Sequence, residues 1–250
     1  MKTEWDYTEL ADAYLQRPDY AADALERIFA VAELKSGDRV CDIGAGVAHL
    51  TLPLAHKGFV VDAVEPNDAM RANGIKRTTG LANVTWSEGT GEATGRPSGA
   101  YDFVSFGSSF NACDRAAALR ETWRLLKPGK WFACLWNHRN LDDPVQAGIE
   151  NIIKKHIAGY AYGTRREDQT AVIAASGLFE GIQAVEGHIM HTCPVEAVVE
   201  AWRSHATLHR QAGATFPVII EEIASFLHGL GKAAIDIPYT THAWMARRKD

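Results

Sequence analysis

A turn that contains two glycines, at residues 44–46, constrains the fold of this chain more than any other feature. The apolar run Arg39–Ile43 predicts a short buried strand, Gly44-Ala45-Gly46 follows it directly, and helical spacing of leucines begins after it, over residues 47–56. Glycine lets a backbone turn sharply and approach a ligand closely, and the free N–H groups of a helix start point at that ligand. The pattern predicts a site for a nucleotide-like ligand, although a strand–turn–helix without a ligand has the same local signature.

Strand and helix signals alternate along the rest of the chain, which predicts a parallel sheet with helices on both faces. The unit over residues 39–136 reads as five strand–helix repeats. We therefore predict a doubly wound, Rossmann-like α/β fold with a mostly parallel seven-stranded sheet and helical lid additions. The predicted strands are 39–43, 59–64, 83–86, 101–106, 130–136, 186–192 and 240–246. The predicted helices are 19–34, 47–56, 68–76, 115–126, 145–157, one that ends at Gly177, 195–206 and 218–227.

No segment rich in proline, glycine or serine divides the chain, so residues 1–250 are predicted to form a single domain. Within it, residues 1–36 are expected to be N-terminal cap helices, and residues 37–138 the ligand-binding core. Residues 139–176 and 193–238 are expected to be additions on the side of the second substrate.

The composition excludes several classes of partner. The net charge is −5, so no global positive field attracts nucleic acid or an anionic membrane. The N-terminus lacks the apolar segment of a signal peptide, and no apolar run reaches the roughly 18 residues of a membrane helix. The four cysteines form no CxxC pair, and His188 and His191 lie three apart on a predicted strand, hence on opposite faces. We therefore expect a cytoplasmic protein without a metal site.

Two kinds of ligand compete for the glycine turn. The dinucleotide fingerprint G-x-G-x-x-G requires glycine at position 49, where this chain has His49. Asp42, just before the turn, repels phosphate and attracts an ammonium or sulfonium group. Glu65 ends the next strand, where doubly wound folds bind ribose hydroxyls. These residues favour a cationic ligand such as S-adenosylmethionine (SAM) over a dinucleotide.

Five segments in order carry a resemblance to a known family. They are VCDIGAGVAHLTLPLA, VDAVEPNDAM, VTWSEGTGEAT, YDFVSFGSSF and ETWRLLKPGKWFACLWN. Together they resemble the class I SAM-dependent methyltransferases, in particular the small-molecule group that includes the ubiquinone-biosynthesis and trans-aconitate enzymes. The resemblance covers about residues 8–140.

The resemblance implies SAM as the cofactor and assigns it a set of residues. The glycine turn would pass under the methionine part, Asp42 would lie by its amino group, and Arg17 near its carboxylate. The cofactor-binding residues it implies are Tyr14, Arg17, Asp42, Gly44, Ala45, Gly46, Glu65, Pro66, Asn67, Met70, Thr90, Gly91, Phe106 and Gly107. Two positions depart from the family pattern: Ala48 replaces its third glycine, a change expected to be mild, and Thr90-Gly91 replaces its Asp-Ala.

Methyl transfer from a sulfonium is an in-line displacement, so the protein supplies alignment and, for a protonated acceptor, a base. His138 follows the fifth strand and is the predicted base, although a histidine there can equally bind only loop backbone, and a carboxylate acceptor needs no base. The predicted substrate-binding residues are Ser109, Asn137, Arg165, Arg203 and His205. The pair Arg165-Arg166 would hold an acidic acceptor, or else be a solvated surface pair.

These observations favour a methyltransferase that acts on a small molecule, with O-methylation of a carboxylate or hydroxyl preferred. C- or N-methylation of an aromatic or prenylated metabolite is the alternative within that class. A nicotinamide oxidoreductase and a non-catalytic SAM-binding module are the alternatives outside it. Nucleic acid is disfavoured as a substrate because Gly107-Ser-Ser-Phe110 replaces the Asn-Pro-Pro-Tyr type of element. The oligomeric state is left open.

Overall fold

A computed structural model describes residues 8–250, apart from the side chains of Glu9 and Ala206. Seven strands form one sheet in the order β3-β2-β1-β4-β5-β7-β6. Only β7 runs antiparallel to its neighbours, β5 and β6. The predicted mostly parallel seven-stranded sheet is thus confirmed. The strands are β1 Arg39–Ile43, β2 Val60–Val64, β3 Val84–Ser87, β4 Tyr101–Gly107, β5 Leu126–Arg139, β6 Phe179–Pro194 and β7 Ala234–Arg248.

Helices connect most of these strands. They are α1 Ala11–Tyr14, α2 Ala22–Val31, α3 Thr51–His56, α4 Asp68–Arg77, α5 Arg115–Leu125, α6 Pro144–His156, α7 Thr170–Ala175, α8 Val195–Arg203, α9 Ala206–Ala212 and α10 Phe216–Gly229. Helices α4 and α5 begin with side-chain N-caps. Asn67 accepts a hydrogen bond from the backbone N–H of Met70, and Asp114 accepts one from that of Ala117. Both caps satisfy N–H groups that a helix start leaves without partners.

The structure differs from the prediction in three places. Residues 88–100 contain no helix, so the core has no helix between β3 and β4; four glycines and a proline oppose one there. Helix α5 ends at Leu125 because Leu126 already pairs with Tyr101 in the sheet. The short helix α9 was not predicted, since it is not long enough to show a periodic pattern, whereas α1 lies in the segment expected to form N-terminal cap helices.

Alternation along the strands divides the core between the two faces of the sheet. On β1, Val40 packs with α2 and α3 residues on one face, and Cys41 packs with α5 residues on the other. A third apolar cluster contains residues of α6, α8, α9 and α10, together with the C-terminal part of β6 and the N-terminal part of β7. This cluster covers the end of the sheet at which β1, β2, β4 and β5 terminate, and it brings residues distant in sequence to that edge.

Among residues 8–250, none of the helices has both the length and the apolar character needed to cross a membrane. Within the same residues, no group of three or more histidine, cysteine or acidic side chains is arranged to hold a metal ion.

Candidate active site

One large cavity opens at the carboxyl ends of the parallel strands. Its floor consists of residues that follow β1, β2, β4 and β5, because parallel strands end at the same edge of a sheet. Its walls come from the segment around α1, from the 3-10 turn Gly163–Arg166, from α8 and from the distal ends of β6 and β7. The predicted glycine turn and part of the predicted substrate site therefore face the same space.

The glycine turn fits closely under this cavity. Gly44 and Gly46 have φ values of +66° and +57°, in the left-handed region that favours glycine. A Cβ on Gly44 would lie 2.3 Å from the Cβ of Ser109, and one on Gly46 would lie 3.2 Å from the Met70 methyl carbon. The N–H groups of Gly44 and Ala45 donate to the carbonyl of Val64, which fixes the turn against β2. A side chain at position 44 would collide with Ser109, and one at position 46 would crowd Met70, so both positions favour glycine.

Ala48 is more constrained than its sequence indicated. It is fully buried and has a φ of +75°, so an alanine occupies a left-handed position. This conformation costs an L-residue about 1–2 kcal/mol. The expectation of a mild replacement for glycine is wrong for the backbone, because the turn requires a conformation that alanine adopts only under strain.

Glu65 connects the turn to the start of α4. One carboxylate oxygen accepts from the N–H of Gly46 at 2.9 Å, and the other accepts from the N–H of Asn67 at 2.8 Å. Burial raises the pKa of Glu65, and the two backbone hydrogen bonds oppose that rise. Each carboxylate oxygen retains a lone pair, so the group can still accept hydrogen bonds from a ligand.

Asp42 is fully buried at the end of β1, and hydroxyl groups bind both of its oxygens. Ser105 donates to one oxygen at 2.8 Å and Thr51 donates to the other at 2.7 Å. Burial raises its pKa to about 6, and these hydrogen bonds limit the rise. The carboxylate is therefore ionised at neutral pH and places a negative charge beside the turn.

Most of the residues assigned to the cofactor lie on the cavity wall. Besides the turn, Asp42 and Glu65, they are Tyr14, Arg17, Pro66, Asn67, Met70, Thr90, Gly91 and Gly107. Phe106 does not line the cavity. Its side chain is fully buried, and its ring packs edge-on against Phe110 at 5.3 Å between centroids, on the far side of β4.

His49 has a role that the sequence did not reveal. Its Nε2 donates to the backbone carbonyl of Tyr14 at 2.8 Å, and its Nδ1 lies 2.9 Å from the carboxylate of Asp19. The histidine that breaks the dinucleotide pattern thus ties the N-terminal segment over the glycine turn. Arg17, on that segment, stacks on the ring of Tyr14 at 3.9 Å from the ring centroid.

The other half of the cavity is rich in arginine. Arg139, at the end of β5, and Arg165 and Arg166, in the 3-10 turn, all line it. Burial, and then the nearby charge of Arg17, lower the pKa of Arg165. Arg139 was not among the predicted substrate-binding residues, although its position at the carboxyl end of a strand placed it near the expected site of methyl transfer.

The structure does not bring His138 or Arg203 to the cavity. His138 is buried behind the cavity wall, and its Nε2 donates to the carbonyl of Arg165 at 2.9 Å. Burial and the two neighbouring arginines lower its pKa to about 3, which leaves the imidazole neutral. Arg203 is exposed on α8 and pairs with Glu200 on the same helix. His138 thus binds loop backbone, which is the alternative to a catalytic base that the sequence left open.

Of the other predicted substrate residues, Ser109, Asn137 and His205 reach the cavity together with Arg165. Ser109 donates to the carbonyl of Ile43, and Asn137 binds the Pro18 and Asp19 carbonyls, so both hold the wall in place. His205 caps α9, because its Nδ1 accepts from the N–H of Leu208. A proton on Nε2 therefore remains for donation.

A second imidazole, His191, lines the cavity on β6. Its Nε2 lies 2.8 Å from the thiol of Cys193, two residues further along the same strand. A hydrogen bond to the Gln16 backbone and the charge of Asp19 raise its pKa, but burial has the larger effect and lowers it. Sequence analysis placed His191 and His188 on opposite faces. That alternation sends His188 toward Thr240 and leaves His191 on the cavity side.

Comparisons with known proteins agree with this architecture. Residues 41–134 match a methyltransferase domain family. An uncharacterised methyltransferase of Mycobacterium tuberculosis is 31% identical over 128 residues, which are 50% of this chain and 48% of that protein. The chain thus spans about half of that relative's length. A ubiquinone/menaquinone biosynthesis C-methyltransferase of Zymomonas mobilis is 28% identical over 159 residues, covering 60% of this chain and 64% of that protein.

A solved structure extends the likeness of the fold beyond the matched segment. The structure of a putative type II methyltransferase from Anaeromyxobacter dehalogenans has a TM-score of 0.63 at 20% identity and covers 93% of this chain and 98% of that one. The matched segment contains the glycine turn and both carboxylates that follow or precede it. Residues 41–134 therefore match a methyltransferase domain, in agreement with the resemblance to the class I SAM-dependent methyltransferases.

Proposed function

We propose that this protein transfers the methyl group of SAM to a small-molecule acceptor. One observation carries the proposal: a single cavity joins the glycine turn and its two carboxylates to a second chamber lined by arginine and histidine. A cofactor site without a second site beside it would suit a non-catalytic SAM-binding module equally well. The adjoining chamber gives a second molecule access to the same space, as a transfer reaction requires.

The residues present fit SAM. The absence of side chains at Gly44 and Gly46 leaves a backbone cradle, since a Cβ at either position would contact a neighbouring side chain. Asp42 supplies a negative charge for an ammonium group, and Glu65 keeps lone pairs for the ribose hydroxyls. Arg17 would take the carboxylate, and Met70 would flank the adenine. A diphosphate suits this site poorly, because Asp42 is ionised beside the turn, which disfavours a nicotinamide oxidoreductase.

SAM supplies an activated methyl group, so the chain's own task is to bind, align and exclude water. His49 ties the N-terminal segment over the turn, which shields this part of the site. The hydroxyls of Tyr20 and Ser108, 3.0 Å apart, close the wall beside Gly107. For an acceptor that must lose a proton, His191 is the candidate base, because its imidazole lines the cavity and burial lowers its pKa, which keeps the ring neutral at pH 7.

Two acceptor chemistries are compatible with these walls. The arginines favour an acceptor with a carboxylate, and hence O-methylation at that carboxylate or at a hydroxyl of the same molecule. The Zymomonas mobilis relative is named a C-methyltransferase, and Tyr162, Tyr239 and Ile237 in this cavity would suit an aromatic acceptor. The additions at residues 139–176 and 193–238 would select between them.

Calorimetric titration with S-adenosylhomocysteine (SAH) tests the cofactor, with NADH as the comparator. We expect micromolar binding of SAH, no binding of NADH, and loss of SAH binding in Gly46→Arg and Glu65→Ala. No binding of SAH by the folded wild type would overturn the proposal. SAM consumption with an acceptor panel then separates an enzyme from a binding module.

The role of His191 has its own test. With a hydroxyl acceptor found in that panel, we expect His191→Gln to lower kcat by about 100-fold, the usual contribution of a positioned base, with little change in KM. An acceptor methylated on a carboxylate should be insensitive to the same change. Equal loss for both kinds of acceptor would contradict a proton-accepting role.

A further inference from the structure

The arginine-rich chamber has an unusual balance of charge. Arg139, Arg165 and Arg166 come from two separate elements, and all three line the cavity. Arg139 and Arg17 act electrostatically on Arg165, and so does Arg166, which shows that their charges lie close together. Like charges in a desolvated space repel each other strongly. A negative charge, from the protein or from a bound ligand, would compensate that repulsion.

The protein provides little compensation. Across the described residues, seven arginines elsewhere pair with carboxylates: Arg27, Arg39, Arg71, Arg115, Arg124, Arg203 and Arg247. None of the three chamber arginines forms such a pair in residues 8–250, although all three line the cavity. Guanidinium groups that line a cavity without a carboxylate partner favour the binding of an anion there.

The other contacts of Arg139 and Arg166 hold their side chains in position. Arg139 stacks over the ring of Trp202 at 4.3 Å, and Arg166 stacks over Tyr162 at the same distance. One Arg166 nitrogen also donates to the carbonyl of Arg139. Stacking on an aromatic face orients the planar guanidinium and leaves its N–H edge available.

An acidic side chain that acts on this group is already engaged. Glu150, on α6, influences Arg166 electrostatically, but it accepts a hydrogen bond from the hydroxyl of Tyr162 at 2.5 Å and pairs with Lys154 at 3.2 Å. It therefore supplies at most one charge, shared with a lysine, against three arginines. Even with Glu150 counted in full, the three arginines retain a net positive charge of about two, which a bound anion would neutralise.

We infer that Arg139, Arg165 and Arg166 form a recognition site for the acceptor's anionic part, and that this part carries two negative charges, as in a dicarboxylate or a phosphate monoester. The inference rests on the proposed function and narrows its acceptor class. Guanidinium groups bind both kinds of oxyanion through paired hydrogen bonds. Arg17 is set aside for the carboxylate of the cofactor, so the three remaining arginines define a separate anion site. A monoanion would leave one buried charge uncompensated.

A variant with opposite effects on stability and on binding tests this site. In Arg165→Met the side chain keeps its length but loses its charge, which removes repulsion from the unliganded protein. We expect the Tm of the unliganded variant to rise by about 2–4 °C, while its affinity for dianions falls at least about 10-fold. A merely structural arginine would lower the Tm on removal. Arg203→Met, at an exposed arginine outside the cavity, is the matched control and should change neither quantity.

Binding is measured by calorimetry on the full chain saturated with SAH. The probes are succinate and tricarballylate for carboxylates, phenyl phosphate for phosphates, and butyrate and benzoate as monoanions. We expect one of the dianion classes to bind at least about 10-fold more tightly than the monoanions, with an affinity that falls as salt rises. The class that binds identifies the source of the charge.

The outcomes separate the two proposals. Binding of SAH without preferential binding of any dianion would overturn the anion site and leave the methyltransferase standing. Dianion binding that persists in Arg165→Met would also overturn it. Dianion binding by a protein that does not bind SAH would remove the proposed function and keep the site. An unchanged SAH affinity in Arg165→Met shows that the variant is folded.

Discussion

The two halves of the cavity treat charge in opposite ways. In the cofactor half, both oxygens of Asp42 accept hydrogen bonds from hydroxyls, and both oxygens of Glu65 accept them from backbone N–H groups. In the other half, Arg139 and Arg166 each keep a buried Nε without a partner. The carboxylates are held in place before any ligand arrives, whereas the three arginines have no carboxylate partner within the described residues. The first half is therefore organised before a ligand binds, and the second is the half in which we propose an anion site.

The halves also differ in their origin along the chain. The turn and its two carboxylates belong to one strand–helix–strand unit, whose register is fixed by the pairing of β1 with β2. The second half combines the end of β5, a 3-10 turn, α8 and the distal ends of β6 and β7. Local segments can specify the first arrangement, while the second exists only after the helices of the additions have packed.

The largest expected effect lies in the cofactor half, at Gly44. A methyl group there would overlap Ser109 and force the residue into a disfavoured conformation. Overpacking of this kind costs about 1–3 kcal/mol, so Gly44→Ala should weaken SAH binding by about 100-fold in calorimetry. Gly95→Ala has a similar φ, +68°, but nothing within 4 Å of the added carbon. The control should lose some stability yet bind SAH normally, and equal binding by both variants would contradict the cradle.

A second test removes the charge that distinguishes the two halves. Because the pKa of Asp42 is about 6, affinity for SAM should rise as pH increases from 5 to 7 and the carboxylate ionises. Asp42→Asn should abolish that pH dependence and weaken binding at pH 7 by about 10-fold. Calorimetric titrations of SAM at pH 5, 6, 7 and 8 measure both effects.

The stability of the unliganded protein should depend on pH in the opposite direction to its SAM affinity. A carboxyl whose pKa is raised in the folded state stabilises it below the unfolded value and loses that contribution as pH rises through about 6. Between pH 4 and 6, the free energy of unfolding of unliganded Asp42→Asn should therefore change less with pH than that of the wild type. Asp102→Asn, which breaks a pair with Lys127 at the other edge of the sheet, serves as the control. If the SAM affinity of Asp102→Asn also lost its dependence on pH between 5 and 7, Asp42 would not be the titrating group.

A third test concerns His138, which lies between the halves and faces neither. Its folded pKa of about 3 is lower than the ordinary value of 6.5, so its contribution to stability is complete above pH 6.5 and is lost as pH falls toward 3. The wild type should lose about 2 kcal/mol at pH 5 through this group. His138→Gln should lose less, as measured by urea unfolding at pH 7 and pH 5. A large drop in kcat with unchanged stability would instead restore His138 as the base.

The smallest expected effect is at Ala48, where the turn imposes a left-handed backbone on a buried alanine. Ala48→Gly relieves about 1–2 kcal/mol of strain, against about 0.8 kcal/mol for the buried methyl and up to 1 kcal/mol of glycine flexibility. We expect a net change within about 0.5 kcal/mol, by chemical denaturation. The neighbouring Ala45→Gly has no strain to relieve and should be destabilising. Equal destabilisation of both variants would show that position 48 is not strained.

The seven strands, the glycine turn and most of the residues that line the cofactor half of the cavity were predictable. Each depends on short-range features: apolar runs, glycine at a strand end, and an acidic residue before or after it. The helix expected between β3 and β4, the roles of His49 and His191, and the exclusion of His138 and Arg203 were not. These depend on which side of a strand or helix meets another element, and one sequence does not contain that information.

The sequence by itself determined the sheet, the turn and the sign of charge beside the turn, because hydrophobic period, glycine and neighbouring carboxylates act over a few residues. Only the tertiary structure decided that Arg139, Arg165 and Arg166 share one chamber and that His191, rather than His138, faces it. The physical reason is that burial and electrostatic repulsion depend on distances in space. Those distances are fixed when α6, α8, α9 and α10 pack over the carboxyl edge of the sheet.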